Sequence, residues 1–570
     1  MKINDVEKIT GLTQKAIRLY ESKGLISVTR DSNGYRNYSE RNVEELKNIK
    51  LFRSVGISIS DIKLFLFGVV SVDELIDKRK LEILNESGKN SEKYRICESI
   101  LTKSVTDSFD IETFTENEVV REKPRGRVAV GIDIGTTTIS AVAYDIDNKE
   151  QIEAYTLPHK SYVSVSDFSE QSVSIIMEKT QKLLTHILNS YKDVVSIGLS
   201  GQMHGITYID GNANSISNLI NWQDKRADKT LANGKTICEE IFDITGEHIS
   251  TGYGIATHYY NLKNNLVPNG AVGFCSIMDY FGMKICGLKK PLTHTSVASS
   301  FGMFDVQNNR FMTDKLSLLG IEKKFLPDVT EKIIIIGKCN GIPVSVAIGD
   351  NQASFLGSVS QNSDTMLVNI GTGAQISSVS DYFETSGDVE LRPFIEGKYL
   401  LCGSTLCGGY AYSMLEEFFK SYTVSLGMPE NSQYKIMNKL ATTAYEKGEE
   451  GLLVDVSFFG KRSNPSARGS VKMIDRENFT PSSLIIGVLK GICNEIYELG
   501  ENFPKKATHI VASGGAVRNI SVLKMLIADR FGASVSLNPT KEESAIGVAL
   551  FSSFVTKNIN YNNGFSKYIR

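Results

Sequence analysis

Apolar positions at the start of the chain recur at helical spacing. Ile3, Val6 and Ile9 predict a first helix, which Gly11 stops. Thr13 fits an N-cap for a second helix, Gln14–Ser22, which Gly24 ends. Helix, tight turn, helix is the outline of a helix-turn-helix. Two extended runs, 25–30 and 35–38, flank Asp31-Ser32-Asn33-Gly34; Asn-Gly in that setting predicts a hairpin, here a small wing. Ser39 is placed to cap a third helix with Val43, Leu46 and Ile49 on one face. Ser58 and Asp61 form a capping-box pattern that opens a fourth over 59–67. Residues 71–101 read as helix again, with Leu75, Ile76, Leu81 and Leu84 among charges. Such a helix either packs on its own domain or joins two copies. Residues 102–127 carry many Ser, Thr, Asp and Glu without a period and read as a linker.

From residue 128 the pattern becomes alternating strand and helix. Val128–Ile134 is a buried-strand run that ends in Gly135-Thr136-Thr137-Thr138, and 139–144 returns as a second strand. The pattern recurs later, where Asn369-Ile370-Gly371-Thr372 lines up with Asp133-Ile134-Gly135-Thr136. A repeated hairpin predicts two related α/β domains facing one cleft, over 128–360 and 361–560; the alternative is coincidence of two short Gly-Thr turns.

Charge adds one asymmetry. The net charge is −2 over 570 residues, but residues 1–68 hold 12 Lys/Arg against 8 Asp/Glu. A basic first segment on an acidic body points to a polyanion partner for that segment alone. The eight cysteines are scattered, with no CxxC pair and no zinc spacing, which predicts reduced thiols. The first residues lack the apolar run of a secretory signal, and the longest clean apolar stretch, 64–70, is too short to span a bilayer. A cytoplasmic protein with no membrane partner is the expectation.

The candidate chemistry lies in turns and strand ends. Gly-Thr turns present backbone N–H groups and hydroxyls without bulk, which suits phosphate oxygens, and two facing turns suit a nucleotide triphosphate. Asn233-Gly234-Lys235-Thr236 imitates a P-loop but lacks the earlier glycine, since position 229 is Lys. Ser513-Gly514-Gly515-Ala516 follows a strand at 510–512 and precedes a helical run at 520–530, so its glycines permit close approach by a ring or a phosphate. Asp350 ends the apolar run from Val346, where a carboxylate can deprotonate an attacking hydroxyl. Asp133, at its own strand end, is placed to hold Mg²⁺, through water. Taken alone, each turn is also an ordinary hairpin, and Asp350 an ordinary helix cap.

Together these segments carry a resemblance. IDIGTTT (132–138), GQMHG (201–205), NWQDKR (221–226), GDNQA (349–353), NIGTG (369–373), CGGYAYSML (407–415) and ASGGAVRN (512–519) resemble, in order, the FGGY carbohydrate kinases, which have an actin-like (ribonuclease H-like) two-domain ATPase fold. GQMHG is similar to the ketose-kinase form, and TGYGIATHYYN (251–261) and SIMDYFGMKICG (276–287) look more like sedoheptulokinase-type members than xylulokinases. The resemblance implies ATP and Mg²⁺ as cofactors and Asp350 as general base. It implies that Met203, His204, Asp224 and Asn351 meet the ketose. Gly135, Thr136, Thr137, Gly371, Thr372 and Gly373 would cradle phosphates, and Gly409, Gly514, Gly515 and Asn519 would flank the nucleotide. Trp222, the single Trp, receives no role.

Residues 1–70 resemble a MerR-type winged helix-turn-helix through TGLTQKAIRLYESKGLI (10–26), RDSNGYRNYS (30–39) and FRSVGISISDIKLFL (52–66); Leu19 stands where such proteins often carry a second aromatic. By that resemblance Thr13, Lys15, Arg18 and Tyr20 lie on or beside the recognition helix, Arg36 and Tyr38 belong to the wing, and double-stranded DNA is the partner. Members dimerise through a following helix, and residues 71–101 lie where that helix would be, so the resemblance implies a homodimer with this segment as one candidate for its contact. The expected function is a ketose kinase, sedoheptulose- or xylulose-like, that is also a sugar-responsive regulator. A retired kinase that only senses sugar or nucleotide is the alternative. A third possibility is a kinase whose first domain serves only for dimerisation.

Overall fold

A computed structural model describes residues 1–30, 33–87, 93–98, 100, 126–163, 168–231, 233–359, 364–384, 387–461, 464 and 466–559. The linker expected at 102–127 lies outside them except for Gly126 and Arg127, as do parts of the expected helix at 71–101.

The first domain follows its caps. Helix α1 (Ile3–Thr10) ends at Gly11, whose φ of 64° is left-handed, and α2 (Gln14–Ser22) opens with Thr13 Oγ1 accepting from Ala16 N. Strands β1 (Thr29–Arg30) and β2 (Arg36–Asn37) pair antiparallel as the wing, though Asp31 and Ser32 of its turn lie outside the described residues. Ser39 caps α3 (Glu40–Ser54), with Asn42 completing the box, and Ser58 caps α4 (Ile59–Leu66). Val6, Ile17, Leu46, Phe52 and Ile62 form the core of this unit. Ile9 does not join them: it is half exposed, and Thr10 takes the inward position, its hydroxyl donating to Val6 O.

Two open sheets follow. The first contains β3 (Val128–Ile134), β4 (Thr138–Asp145), β5 (Glu150–Pro158), β6 (Val194–Gly201), β7 (Ile335–Cys339) and β8 (Ile342–Ser345), in the order β7-β8-β6-β3-β4-β5, with the short β9 (Ile348–Gly349) beside β6. The second contains β10 (Thr365–Ile370), β11 (Ala374–Ser380), β12 (Val389–Pro393), β13 (Tyr399–Thr405), β14 (His509–Ser513) and β15 (Ser534–Leu537), in the order β12-β13-β11-β10-β14-β15. In each, a hairpin closed by a Gly-Thr turn has a parallel strand on its outer side, β6 beside β3 and β14 beside β10. The repeat read in the sequence is thus a repeat of topology.

Helices α7 (Asp350–Leu356) and α8 (Glu543–Val555) cross at the junction of the two lobes. Their backbones touch: a Cβ on Gly547 would lie 1.8 Å from Ala353 O, and one on Gly131 of β3 would lie 1.8 Å from Ala545 O. Only glycine permits that approach, which brings the chain's last described helix back onto the first lobe.

The first domain does not hang free. Helix α5 (Val72–Ser87) and α4 pack against the outer strand β5 and helix α6 (Val173–Ser190) of the first lobe. Lys63 forms an almost fully buried ion pair with Glu153, Lys179 pairs with Glu74, and Lys160 with Asp77 at 3.1 Å. Phe67 lies against the His186 ring at 4.3 Å. Burial lowers the His186 pKa to about 4, so a neutral ring packs there, and its Nε2 meets Tyr155 Oη at 3.1 Å.

Candidate active site

The cleft between the lobes is built from strand ends. Asp133 is the penultimate residue of β3, and Ser200 Oγ of the adjacent β6 donates to it at 2.6 Å. Asp350 is the first residue of α7, at the exit of β9. Its Oδ1 accepts from Asn351 N at 2.8 Å, and its carbonyl accepts from Ser544 Oγ of α8. The carboxylate therefore sits on a helix N-terminus that favours its charge and where α7 and α8 cross. Burial raises Asp133 to about 7, helped by the charges of Asp350 and Glu542 and opposed by Ser200. Burial also raises Asp350 to about 6, against the pull of Arg392. Two carboxyls held near neutrality in one cleft are the kind of pair used to move a proton and to bind a cation.

Both Gly-Thr turns are fastened from behind. Gly135 O meets His159 Nε2 at 3.2 Å and accepts from Gln202 Nε2, Thr136 O accepts from Gln171 Nε2 at 2.6 Å, and Thr137 O accepts from His159 N. His159 must carry a proton on Nε2 to donate there, and burial, by lowering its pKa, favours the neutral ring. Its Nδ1 then accepts from Ser161 Oγ at 2.7 Å. On the second turn, Gly371 O accepts from Gly409 N, and Thr372 O from both Gly408 N and Tyr410 N. Gly135 N closes its own turn on Thr138 O, so with these carbonyls occupied it is the amides further along each turn that can serve as donors, the requirement for a phosphate cradle. Gly371 and Gly515 each have open space where a Cβ would stand. Gly514, by contrast, is locked: its φ is 93°, and a Cβ would lie 2.4 Å from Ile370 O. Asn519 is exposed at the end of the short helix Gly515–Asn519 and its carbonyl receives Asn438 Nδ2, while Gly373 is half-buried beneath Thr405 O.

On the first-lobe side Met203, His204 and Asn351 come together. Met203 is buried against Gly349, and Asn351 Nδ2 approaches its Sδ at 3.9 Å. His204 is held at φ 71°, a left-handed conformation that few residues with a side chain adopt, though histidine does so more readily than most. Its amide donates to Ser300 Oγ, its Nδ1 bonds to Ser300 O at 2.8 Å, and its ring stacks on Tyr253 at 4.4 Å. Because a carbonyl can only accept, Nδ1 carries a proton.

Asp224 is a correction. It is fully buried, and its two oxygens accept from Ser169 N and from Arg226 N, Nε and Nη2, which fills the acceptor capacity of a carboxylate. Arg226 in turn reaches Glu170 and Asn261. Asp224 braces the segment at Ser169 against Arg226 and has no lone pair left for a ketose hydroxyl. Trp222, given no role from sequence, donates from Nε1 to Thr136 Oγ1 at 2.9 Å and joins this wall to the first Gly-Thr turn. The false P-loop is a helix start: Thr236 and Glu239 form a capping box.

In the first domain Thr13, Lys15 and Arg18 are exposed, and Leu19 and Ser22 share their side of α2. Arg36 is anchored by Glu21 at 2.5 Å and stays partly exposed on the wing. Tyr20 and Tyr38 are the second correction. Both are core residues, 7% and 1% exposed, and burial raises the Tyr38 hydroxyl's pKa. A ring inside the fold cannot meet a base edge.

Two lobes hinged at crossed helices, with a Gly-Thr hairpin from each lining the cleft, are the architecture of an actin-like ATPase. Residues 128–357 match the N-terminal domain and residues 368–554 the C-terminal domain of the FGGY family of carbohydrate kinases, and residues 1–67 match the MerR HTH family regulatory proteins. The chain belongs to the FGGY family and is a phosphotransferase of the carbohydrate-kinase class. It is 25% identical over 469 residues to sedoheptulokinase of Mus musculus, covering 74% of this chain and 96% of that one. It is 26% identical over 467 residues to xylulose kinase of Staphylococcus xylosus, covering 77% and 93%. The ligand-bound xylulose kinase of Lactobacillus acidophilus shares the fold, with a TM-score of 0.65 at 19% identity over 78% of this chain and 91% of that one. Among the described residues, no helix is long and apolar enough to cross a membrane, and all eight cysteines are free thiols.

Proposed function

We propose that the protein transfers the γ-phosphoryl group of ATP to a hydroxyl of a ketose of the sedoheptulose or xylulose type, and that its first domain binds double-stranded DNA in a sugar-responsive way. The observation that carries the first half is the carboxyl pair Asp133 and Asp350 at the hinge, under two donor-lined turns. Asp350 takes the proton from the attacking hydroxyl, and burial, which raises its pKa to about 6, makes it basic enough to hold that proton. The turns at 135–137 and 371–373 hold the phosphates in line, and Met203, His204 and Asn351 orient the sugar. The donor set fits Mg²⁺, since Asp133 offers hard oxygen and no group of three or more metal-ligating side chains occurs among the described residues, leaving water and phosphate to complete the shell. When bound through Asp133, the ion would neutralise charge on the transferring phosphoryl group. No step here requires a residue that is missing, which favours retained chemistry over a retired sensor. The test is ATP consumption against a panel of ketoses. Turnover with one of them and none without sugar is expected; sugar binding without turnover would leave only the sensor.

For the second half, the exposed row Lys15, Arg18, Leu19 and Ser22 follows the i, i+3, i+4, i+7 spacing of one helix face. Cations, a hydroxyl and an apolar tip are what phosphates, base edges and thymine methyls take. The domain would act as a dimer on two half-sites.

A further inference from the structure

Arg392, on the second lobe, lies near enough to Asp350 for its charge to oppose the rise of that carboxyl's pKa. It stands on β12 next to Pro393, whose carbonyl accepts from Gln352 Nε2 at 3.0 Å. Gln352 lies on the first turn of α7 with Asp350, so this hydrogen bond seats the strand against the helix that carries the base. The Arg392 side chain is only 11% exposed. Its Nε and Nη2 both donate to a single oxygen, Glu390 Oε2, at 3.1 and 2.6 Å. Its Nη1 is buried and meets no acceptor among the described residues.

That arrangement is not how a guanidinium is used for structure alone. A structural Arg–Glu pair sets fork against fork and engages both carboxylate oxygens. Here one oxygen serves two nitrogens, and the third nitrogen is desolvated with nothing to donate to, a state that is unfavourable unless a ligand supplies the acceptor. The surroundings say what kind of ligand. Asp350 and Tyr253 both feel the Arg392 charge, and Tyr253 is the ring on which His204 stacks.

We propose that Arg392 is a sugar-binding residue supplied by the second lobe, with Nη1 donating to a substrate oxygen beside the hydroxyl that Asp350 deprotonates. The inference rests on the ketose-kinase reading above and deepens it. The sugar then bridges the lobes, with Met203, His204 and Asn351 on one side and Arg392 on the other. A pocket built to hydrogen-bond a given oxygen discriminates strongly against the analogue that lacks it, because the buried donor is then stranded.

The test is ketose binding by calorimetry, with sedoheptulose and xylulose as probes and a non-hydrolysable ATP analogue as the measure of an intact cleft. Three proteins are compared: wild type, Arg392→Lys, and the double variant Arg392→Met/Glu390→Gln, which removes the pair together and strands no buried charge. Ketose affinity should fall at least tenfold in the double variant and by less in Arg392→Lys, while affinity for the ATP analogue stays within twofold. The double variant should also lose the preference of wild type for the ketose over its deoxy analogues. Unchanged ketose affinity in the double variant would overturn the assignment. Should that variant fail to bind the ATP analogue, Arg392→Lys decides: wild-type ketose affinity there refutes the proposal, and a loss confined to the ketose supports it. A wild type that binds neither sugar would sink the ketose reading itself, and the inference with it, an outcome distinct from variants that bind as well as wild type.

Discussion

Asp350 and Asp133 differ in what they are asked to do, and the difference can be measured. Asp350 acts as its carboxylate, and burial raises it to about 6. Protonation removes the base, so kcat/KM is expected to fall as pH drops through about 6, with a plateau above it. Asp350→Asn should cut kcat by about 10²–10⁴-fold and abolish that acid limb while leaving ATP-analogue binding intact. A variant that keeps both turnover and the limb would exclude Asp350 as the base. Tyr38 gives the opposite kind of prediction. Its hydroxyl is buried with no partner among the described residues, so Tyr38→Phe should hold or raise Tm and leave DNA affinity unchanged. A clear loss of DNA binding on that change would return Tyr38 to the wing surface.

Elements were legible in the sequence wherever local chemistry decides them. Thr13, Ser39 and Ser58 each cap the helix they predict, because an N-cap hydroxyl and the amide it accepts from lie within one turn. The two Gly-Thr hairpins and Asp350 at a strand exit were legible for the same reason. What was not legible depends on distant partners. Nothing beside Asp224 in sequence announces that Ser169 joins Arg226 in filling its oxygens, and nothing near Trp222 points to Thr136. Ile9 fits a helical period, yet Thr10 is the residue turned inward, because its hydroxyl returns to its own helix and needs no water. At this scale α2 carries its own prediction. Arg18→Ala should weaken operator binding about tenfold, and Lys15→Ala, if it meets phosphate, should lower the salt slope by about one. Binding indifferent to salt and to both changes would remove α2 from the DNA.

Over the whole molecule, helix α5 decides whether the two functions are joined. It lies between the winged domain and the first lobe: Lys78 donates to Asp61 of α4 at 2.5 Å and to Thr156 O of β5 at 2.9 Å. Thr156 Oγ1 donates to Glu542 at 2.6 Å, at the start of α8, and Glu542 is one of the charges that raise Asp133. A cavity of about 510 Å³ opens along this seam, lined by Ser58, Lys78, Thr156 and Lys541 among others. Polar contacts thus run from Glu542 at the start of α8, whose charge acts on Asp133, through Thr156, Lys78 and Asp61 to Ser58, the cap of α4. Lobe closure over sugar and nucleotide is expected to be felt at α8, and the Glu542–Thr156 contact is where it would reach α5. The buried Lys63–Glu153 pair keeps the winged domain from slipping meanwhile; losing one partner of such a pair costs about 3–5 kcal/mol, so Lys63→Met should loosen the first domain first. Operator affinity measured at fixed salt, with and without ketose plus a non-hydrolysable ATP analogue, should differ by about 1–3 kcal/mol, and DNA should alter ligand affinity by the same factor. Thr156→Val and Lys78→Met interrupt the seam outside the catalytic cleft. Each should shrink the coupling while sparing ketose turnover and the unliganded operator affinity. Equal operator affinities with and without ligands in the wild type would show that the halves are merely packed together, and coupling that survives both substitutions would move its route elsewhere.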